Sequence, residues 1–425
     1  MKKKSSKKSN KTRATTRNSI SASVSPGRYF GEPTPKPGEL QFVDQKSDSK
    51  YYRLVDPSLL QKIPAPSISP PRLSLQDIVG SDATAKIQSS GQIVFHSVGD
   101  TGVTMGAGPG NEAAVTDKMA GDFEGEAPQD VPAFLYHLGD VIYNFGEDEY
   151  YYDQFYEPFR NYQAPIVGIP GNHDGVIYSG DPESSLAAFL QHFCSPTPVH
   201  APQAGGLVRT TMTQPGVYFT FDAPFVTLIG LYSNVLEDPG VISSEGGKNP
   251  SVDDQQLDFL ESELKRLGDS AYSGAVIVSV HHPPYTVGAG HGSSPRMLQD
   301  IETAISNAGN FWPHAIISGH AHNYERYTRT VGSTQVPFII AGSGGHAATK
   351  IRSGPGNTVI RTPMQVINGV TLERYFGDYG YLRVIVTKDI LTFEFHDVSA
   401  GLASKSPSDI CSLDLKTRTL VSVHA

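Results

Sequence analysis

Short apolar runs rich in β-branched residues recur along this chain, and five of them stop at a polar residue able to bind a metal. Ile93–Val98 runs into Gly99-Asp100, and Ala133–Leu138 into Gly139-Asp140. Pro165–Ile169 leads to Gly171-Asn172-His173-Asp174, Ala275–Val280 to His281-His282, and Ala315–Ile317 to Gly319-His320-Ala321-His322. Near-continuous apolar strands imply sheets covered on both faces. Ligands in such folds collect beyond the carboxyl ends of the strands. The five polar strand ends are therefore expected to converge. The glycines before Asp100, Asp140, Asn172 and His320 permit the sharp turns this requires.

Val217–Phe221, Val226–Leu231 and Phe338–Ala341 read as further strands. Three helices are expected between the strands. One is capped by Ser251, carries Leu257, Leu260, Leu264 and Leu267 on one face and ends at Gly268. A second opens at Ser294-Pro295 with Leu298, Ile301 and Ile305 inward, and a third spans Ser185 to Cys194. Tyr381–Thr387 and Leu391–Phe395 flank Lys388-Asp389 and predict a hairpin, so the sheets are mixed. These elements define a catalytic domain over residues 91–425. Residues 31–90 read as a Pro-rich extended arm with little regular structure, and residues 1–30 as a disordered basic tail.

Charge narrows the function. Nine of the 34 Lys and Arg lie in residues 1–31 with no acid among them, which leaves 25 bases against 43 acids in the remainder. A body that acidic is not built to grip a duplex by its phosphates. Contact with nucleic acid is expected only weakly, through the tail. No stretch suits a signal-peptide core and no 18-residue apolar run occurs. The reading is no membrane partner and, by default, a cytoplasmic protein. Cys194 and Cys411 are far apart and form no CxxC, so thiolate-bound zinc is excluded and both read as buried free thiols.

Carboxylate, amide oxygen and imidazole without thiolate suit Fe, Mn or Zn. Six or seven such ligands exceed what one ion takes, and two ions bridged by a carboxylate accommodate them. Paired ions about 3.5–4 Å apart clamp the attacking and leaving oxygens of an in-line displacement.

The order and spacing of these motifs resemble the calcineurin-like metallophosphoesterases over Gln92 to Val398. Three details resemble the purple acid phosphatase branch. Asp100-Thr101-Gly102 stands where Asp-x-His is common, Gly139-Asp140-Val141-Ile142-Tyr143 supplies a tyrosine, and Gly319 to Arg326 matches as a block. The Pro-rich segment does not resemble the β-sandwich domain that often precedes that catalytic domain.

The resemblance implies an α/β fold with mixed sheets, a four-layer αββα sandwich. It implies Fe(III) on Asp100, Asp140, Tyr143 and His322, and a divalent ion (Fe, Zn or Mn) on Asp140, Asn172, His281 and His320, with Asp140 bridging. His281 sits two residues before Pro283, as the family ligand does; His282 is the alternative. His173 would contact phosphate or protonate the leaving group. His291 is either a second substrate-side histidine or a loop residue, and Asp174 orients His173 or its loop. His346 lines the mouth or lies on the surface. His96, His137, His192, His200, His314, His396 and His424 read as structural or exposed. The implied activity is hydrolysis of small phosphate esters, an acid phosphatase-like monoesterase with a metal-bound hydroxide as nucleophile. The alternatives are a phosphodiesterase or nucleotide phosphoesterase with Mn or mixed metals, and a non-catalytic metal- or phosphate-binding module.

Overall fold

The computed structural model describes residues 57–103, 108–143, 145–176, 184–351 and 360–421. The basic segment 1–30, the Pro-rich stretch up to residue 56 and His424 lie outside the described residues.

The strands begin with β1 (Arg72–Ser74), β2 (Gln92–Val98), β3 (Leu135–His137), β4 (Ile166–Gly168), β5 (Phe219–Ala223), β6 (Val226–Leu231), β7 (Ala275–Val280) and β8 (Ala315–Ser318). They continue with β9 (Tyr324–Val331), β10 (Thr334–Ala341), β11 (Met364–Ile367), β12 (Val370–Phe376), β13 (Gly380–Thr387), β14 (Ile390–Asp397), β15 (Asp409–Asp414) and β16 (Thr419–Val421). The helices are α1 (Leu75–Val79), α2 (Ser81–Ser90), α3 (Gly108–Gly121), α4 (Asn172–Gly175), α5 (Ala187–Phe193), α6 (Gln255–Asp269) and α7 (Pro295–Asn307).

Two mixed sheets result, one ordered β1-β5-β6-β7-β8-β10-β9-β12-β11 and the other β16-β15-β14-β13-β2-β3-β4. Alternation within each strand explains why they stack. In β7, Ala275 and Ile277 point into a core shared with Phe95, Phe134 and Ile317, between the sheets. Val276, Val278 and Val280 belong instead to the core that holds Leu260 and Leu264 of α6 and Ile301 of α7. Val115 and Met119 of α3 join Leu135 and Ile166 beyond the other sheet. Helices thus cover both outer faces, giving four layers. Leu260, Leu264, Leu267 and Ile301 are fully buried, and each contributes roughly 1.5–3 kcal/mol. The expected hairpin forms, with Val386 paired to Leu391. No helix among the described residues is long and apolar enough to cross a membrane. Both cysteines are free thiols, Cys411 buried and Cys194 partly so.

The structure departs from expectation in the Pro-rich stretch. There, β1 pairs in parallel with β5, Arg72 bonds Glu263 at 2.5 Å, and α1 and α2 follow. Ser74 and Asp77 form a reciprocal capping box that starts α1, and this local bonding overrides the neighbouring prolines. Helix α6 begins at Gln255, not after Ser251. Its N-cap is Asp254, whose carboxylate is held by the backbone N–H and the hydroxyl of Ser244.

One buried group in this frame is costly. Glu112 on α3 is fully buried, and neither carboxylate oxygen has a hydrogen-bond partner among the described residues. Burial, then Glu157 and Asp153, hold its carboxyl well above the usual range. Below its unfolded pKa both states keep the proton. Above it the unfolded chain releases the proton and the folded chain resists, so stability falls as pH rises. Glu112→Met should remove this penalty, worth about 1–3 kcal/mol. Melting temperatures taken from pH 5 to pH 8 should show the variant's advantage growing with pH; an advantage that shrinks would refute this origin.

Candidate metal centre

The site is assembled from strand ends in both sheets. Strands β2, β3 and β4 run parallel in one sheet, and β6, β7 and β8 run parallel in the other. Their carboxyl ends meet. The backbone N–H of His320, after β8, donates to Asp100 Oδ2 at 2.8 Å, after β2. Asp100, Asp140 and His320 hold left-handed backbone angles, φ 57°, 54° and 66°. This conformation costs a side-chain-bearing residue about 1–2 kcal/mol, and such strain gathers at functional sites.

Four predicted residues form one cluster around the Tyr143 hydroxyl. It donates to Asp140 Oδ2 at 2.7 Å and to Asp100 Oδ1 at 3.2 Å, and lies 3.2 Å from His322 Nε2. Gly102 shows why no histidine ligand stands at that position. A Cβ there would press on the Val141 carbonyl oxygen and on Gln154 Oε1 at 2.8 Å. Gln154 in turn accepts from Tyr143 N–H at 2.8 Å and donates to the Tyr143 carbonyl at 2.7 Å, fixing the tyrosine's backbone.

The second cluster forms around Asn172. Its Oδ1 lies 3.1 Å from His281 Nε2 and 3.2 Å from His320 Nδ1. His281 Nε2 also lies 3.3 Å from Asp140 Oδ2. Ligand atoms of Asp140, His281 and His320 all fall within 4.8 Å of one another. Asp140 Oδ2 therefore faces both clusters. Gly139, at φ 97°, makes the close approach possible, since a Cβ would meet His281 Nδ1 at 2.7 Å.

Neighbouring groups aim these side chains. His281 donates from Nδ1 to the Leu138 carbonyl at 2.8 Å, and His322 from Nδ1 to the Ala347 carbonyl at 3.1 Å, which turns both Nε2 atoms inward. Such anchoring sets ring orientation and basicity at metal sites. His282, the alternative to His281, faces away. Its Nδ1 meets Ser233 Oγ at 2.7 Å and its Nε2 donates to the Leu236 carbonyl at 2.7 Å. His137 accepts from Gly139 N–H at 3.1 Å, which puts its proton on Nε2, 2.9 Å from Thr101 Oγ1. It thereby ties the loops of Asp100 and Asp140 together.

Asp174 lies beneath the two loops that carry Asp140 and Asn172. Its carboxylate accepts backbone N–H groups of Gly171 at 2.8 Å and of Val141 and Ile142 at 3.0 Å. These bonds tie the Asp140 and Asn172 loops together. His173 donates its backbone N–H to Asp140 Oδ1 at 2.9 Å, and its ring lies 4.3 Å from that of Tyr143. The His291 ring lies 4.3 Å from that of His320 and 4.8 Å from that of His322. His346 stacks on Tyr143 with ring centres 3.7 Å apart.

Two acids near the opening escape sequence reasoning. Glu237 Oε2 accepts from Asn172 Nδ2 at 3.4 Å, which turns the amide oxygen toward the histidines. Glu237 also lies 3.4 Å from His291 Nδ1 and 3.9 Å from His173 Nε2. Asp238 Oδ1 lies 3.6 Å from His320 Nε2. Neither acid follows a strand directly; both sit well beyond the end of β6. The Glu-Asp pair before Pro239 is the only signal for them.

The electrostatics call for positive charge. Burial raises the Asp100 carboxyl well above the usual range. Burial would raise Asp140 too, but the charges of His281 and His173 pull it well below. Burial opposes protonation of His281, yet Asp140 outweighs it and pushes the imidazole up to about 9. Burial and neighbouring imidazoles hold His320 and His322 well below their usual value, as neutral rings with lone pairs to offer. Two carboxylates, a phenol, an amide oxygen and neutral imidazoles form a hard-to-borderline donor set, which fits cations of the Fe, Zn and Mn type.

The sequence profile of the calcineurin-like phosphoesterases matches residues 94–324. No curated protein sequence matches the chain significantly. Among solved structures, it is similar to the purple acid phosphatase PPD1 of yellow lupin, Lupinus luteus, with TM-score 0.51 and 15% identity over 76% of this chain. The match spans 54% of the lupin protein, about half its length. GAP50, described as the anchor in the inner membrane complex of Plasmodium, gives TM-score 0.49 and 14% identity over 76% of this chain and 89% of its own. PhoD gives 0.49 and 14% over 85% and 73%. At such identities the lupin structure speaks for the fold alone. The family rests on the profile, which spans more than half of the chain and every strand end from β2 to β8: this protein belongs to the calcineurin-like phosphoesterases.

Proposed function

We propose that the chain hydrolyses phosphate monoesters of small molecules at a pair of cations. One would be held by Asp100, Asp140, Tyr143 and His322, the other by Asp140, Asn172, His281 and His320. The observation that carries this reading is Asp140 Oδ2, which meets Tyr143 at 2.7 Å and His281 at 3.3 Å. A phenol and two carboxylates suit Fe(III), and the imidazole-rich side suits divalent Fe, Zn or Mn. When bound, such a pair supplies Lewis acidity and an acidified water.

The chain's own residues supply the rest. His173 and His291 are proton donors for the leaving oxygen and, when protonated, offset charge on the phosphate. Asp174 and His137 hold the loops in register. His281 and His322, anchored through Nδ1, keep their Nε2 atoms directed inward.

Iron-loaded protein should show a visible charge-transfer band from the Tyr143 phenolate and should hydrolyse p-nitrophenyl phosphate. Tyr143→Phe should abolish the band while the protein still melts cooperatively. A colourless iron-loaded parent, or a band that survives the substitution, removes the ferric assignment. Faster turnover of bis(p-nitrophenyl) phosphate than of the monoester would move the reading to a phosphodiesterase.

A further inference from the structure

Arg209 is a cation without an acid. It is half-buried, and among the described residues no carboxylate pairs with it, although acids outnumber bases in this chain. Its guanidinium donates instead to three backbone carbonyls, those of Ala164 at 3.1 Å, Phe159 at 3.4 Å and Tyr162. A guanidinium has five donors, so two are left over. One of them, on Nε, is buried and makes no hydrogen bond. Burial draws Arg209 down to about 10, countered only by the phenols of Tyr162 and Tyr156. A charge in such a place costs stability unless something pairs with it.

Arg209 lines a cavity of about 510 Å³, within the roughly 300–1,000 Å³ of small-molecule sites. None of the lining residues belongs to the metal centre. Tyr162, 3% exposed, lines the cavity too, and its hydroxyl is a second buried group without a hydrogen-bond partner. The other walls are mostly apolar, with Phe159, Leu207 and Met212. Val208 at the rim is 92% exposed, an apolar side chain that no described residue covers. Arg160 also borders the cavity, but its charge is met by Glu157 at 3.5 Å and Asp117 at 3.9 Å. The cavity thus offers one uncompensated positive charge beside an apolar wall.

We infer that this cavity binds a monocarboxylate with a medium-length apolar chain, its carboxylate against Arg209 and Tyr162 and its chain along Phe159, Leu207 and Val208. One unpaired guanidinium calls for one negative charge. The two oxygens of a carboxylate can accept from the spare guanidinium donors and from the phenol. Each methylene that the wall covers strengthens binding about fourfold. The inference is independent of the phosphatase reading.

The test is isothermal titration calorimetry of the metal-loaded full chain with octanoate, 1-octanol and butyrate. Octanoate should saturate one site and bind about tenfold or more tightly than 1-octanol at low salt. It should bind about a hundredfold or more tightly than butyrate. Arg209→Met keeps the apolar stem and should weaken octanoate about tenfold while leaving 1-octanol within about twofold. Should that variant fail to fold for want of its carbonyl bonds, Val208→Asp decides. Its side chain stands in solvent, so the fold is spared, and the like charge at the rim should weaken octanoate about threefold or more. No saturable binding, equal affinity for octanoate and 1-octanol, or octanoate binding that ignores the deciding substitution, as capture at the metal centre would, overturns the inference. None of these outcomes touches the phosphatase reading.

Discussion

Asp140→Asn should cost roughly 10³-fold in kcat on p-nitrophenyl phosphate, and metal content should fall from two ions per chain toward none. Losing a group that merely orients a ligand typically costs about 10–100-fold, and a ligand shared by both ions should exceed that. Asparagine is the informative replacement. Asp140 sits at φ 54°, a conformation asparagine tolerates and alanine does not. Its single amide oxygen can still accept from one of the two donors that Asp140 serves, the His173 N–H on Oδ1 or the Tyr143 hydroxyl on Oδ2. The substitution thus removes charge while sparing the backbone. Plasma emission analysis paired with steady-state kinetics decides the matter. Two retained ions with turnover within about tenfold of the parent would show that Asp140 is no bridge.

The fold was legible where both strand faces are buried. Runs such as Ala275–Val280 can be recognised because every position is apolar or small. Asp100, Asp140, Asn172, His281 and His320 stood out as candidates because each lies within a few residues of the end of such a run, whereas Tyr143 entered only through the resemblance. His281 and His282 could not be separated from spacing by physical means. Only the bonds of His282 to Ser233 and Leu236 distinguish them.

Other features were hidden for specific reasons. His137 lies inside a strand run and looks like a core residue, yet it joins two ligand loops. Glu237 and Asp238 come after a loop whose path Ser233 and His282 determine, and no local pattern reveals that path. Strand β9 reads Tyr-Glu-Arg-Tyr-Thr-Arg-Thr-Val, and its first five residues are buried. Charged residues in a buried strand become intelligible only with their partners. Glu325 takes Val287 N–H at 3.0 Å and Asn323 Nδ2 at 3.0 Å, and Arg326 pairs with Asp409, 83 residues away in sequence. The helices in the Pro-rich stretch depend on a capping box and on pairing with β5, which proline counting overlooks.

The Arg326–Asp409 pair carries the largest stability prediction. Arg326 on β9 belongs to one sheet and Asp409 on β15 to the other. Their contact is bidentate, Nε to Oδ2 at 2.6 Å and Nη2 to Oδ1 at 3.0 Å. Tyr324, itself buried, donates to the same Oδ2 at 2.8 Å. Arg326 is only 8% exposed and Asp409 7%, so water cannot replace a lost partner. Asp409→Ala should therefore destabilise the protein by about 3–5 kcal/mol, the usual cost of leaving a buried charge unpaired. Replacing both partners at once, Arg326→Met with Asp409→Leu, should recover most of that loss, because no buried charge is then stranded; Arg374, which also reaches Asp409 at 3.5 Å, is half-exposed and stays hydrated. Denaturant unfolding of the parent, single and double variants separates the two causes. A double variant as unstable as the single one would mean that the bonds themselves, not the orphaned guanidinium, hold the sheets together. Arg326 lies four residues beyond His322 on the same strand-and-turn segment. The single variant should accordingly lose metal affinity on the Tyr143 side before it unfolds, whereas the apolar double variant should keep it.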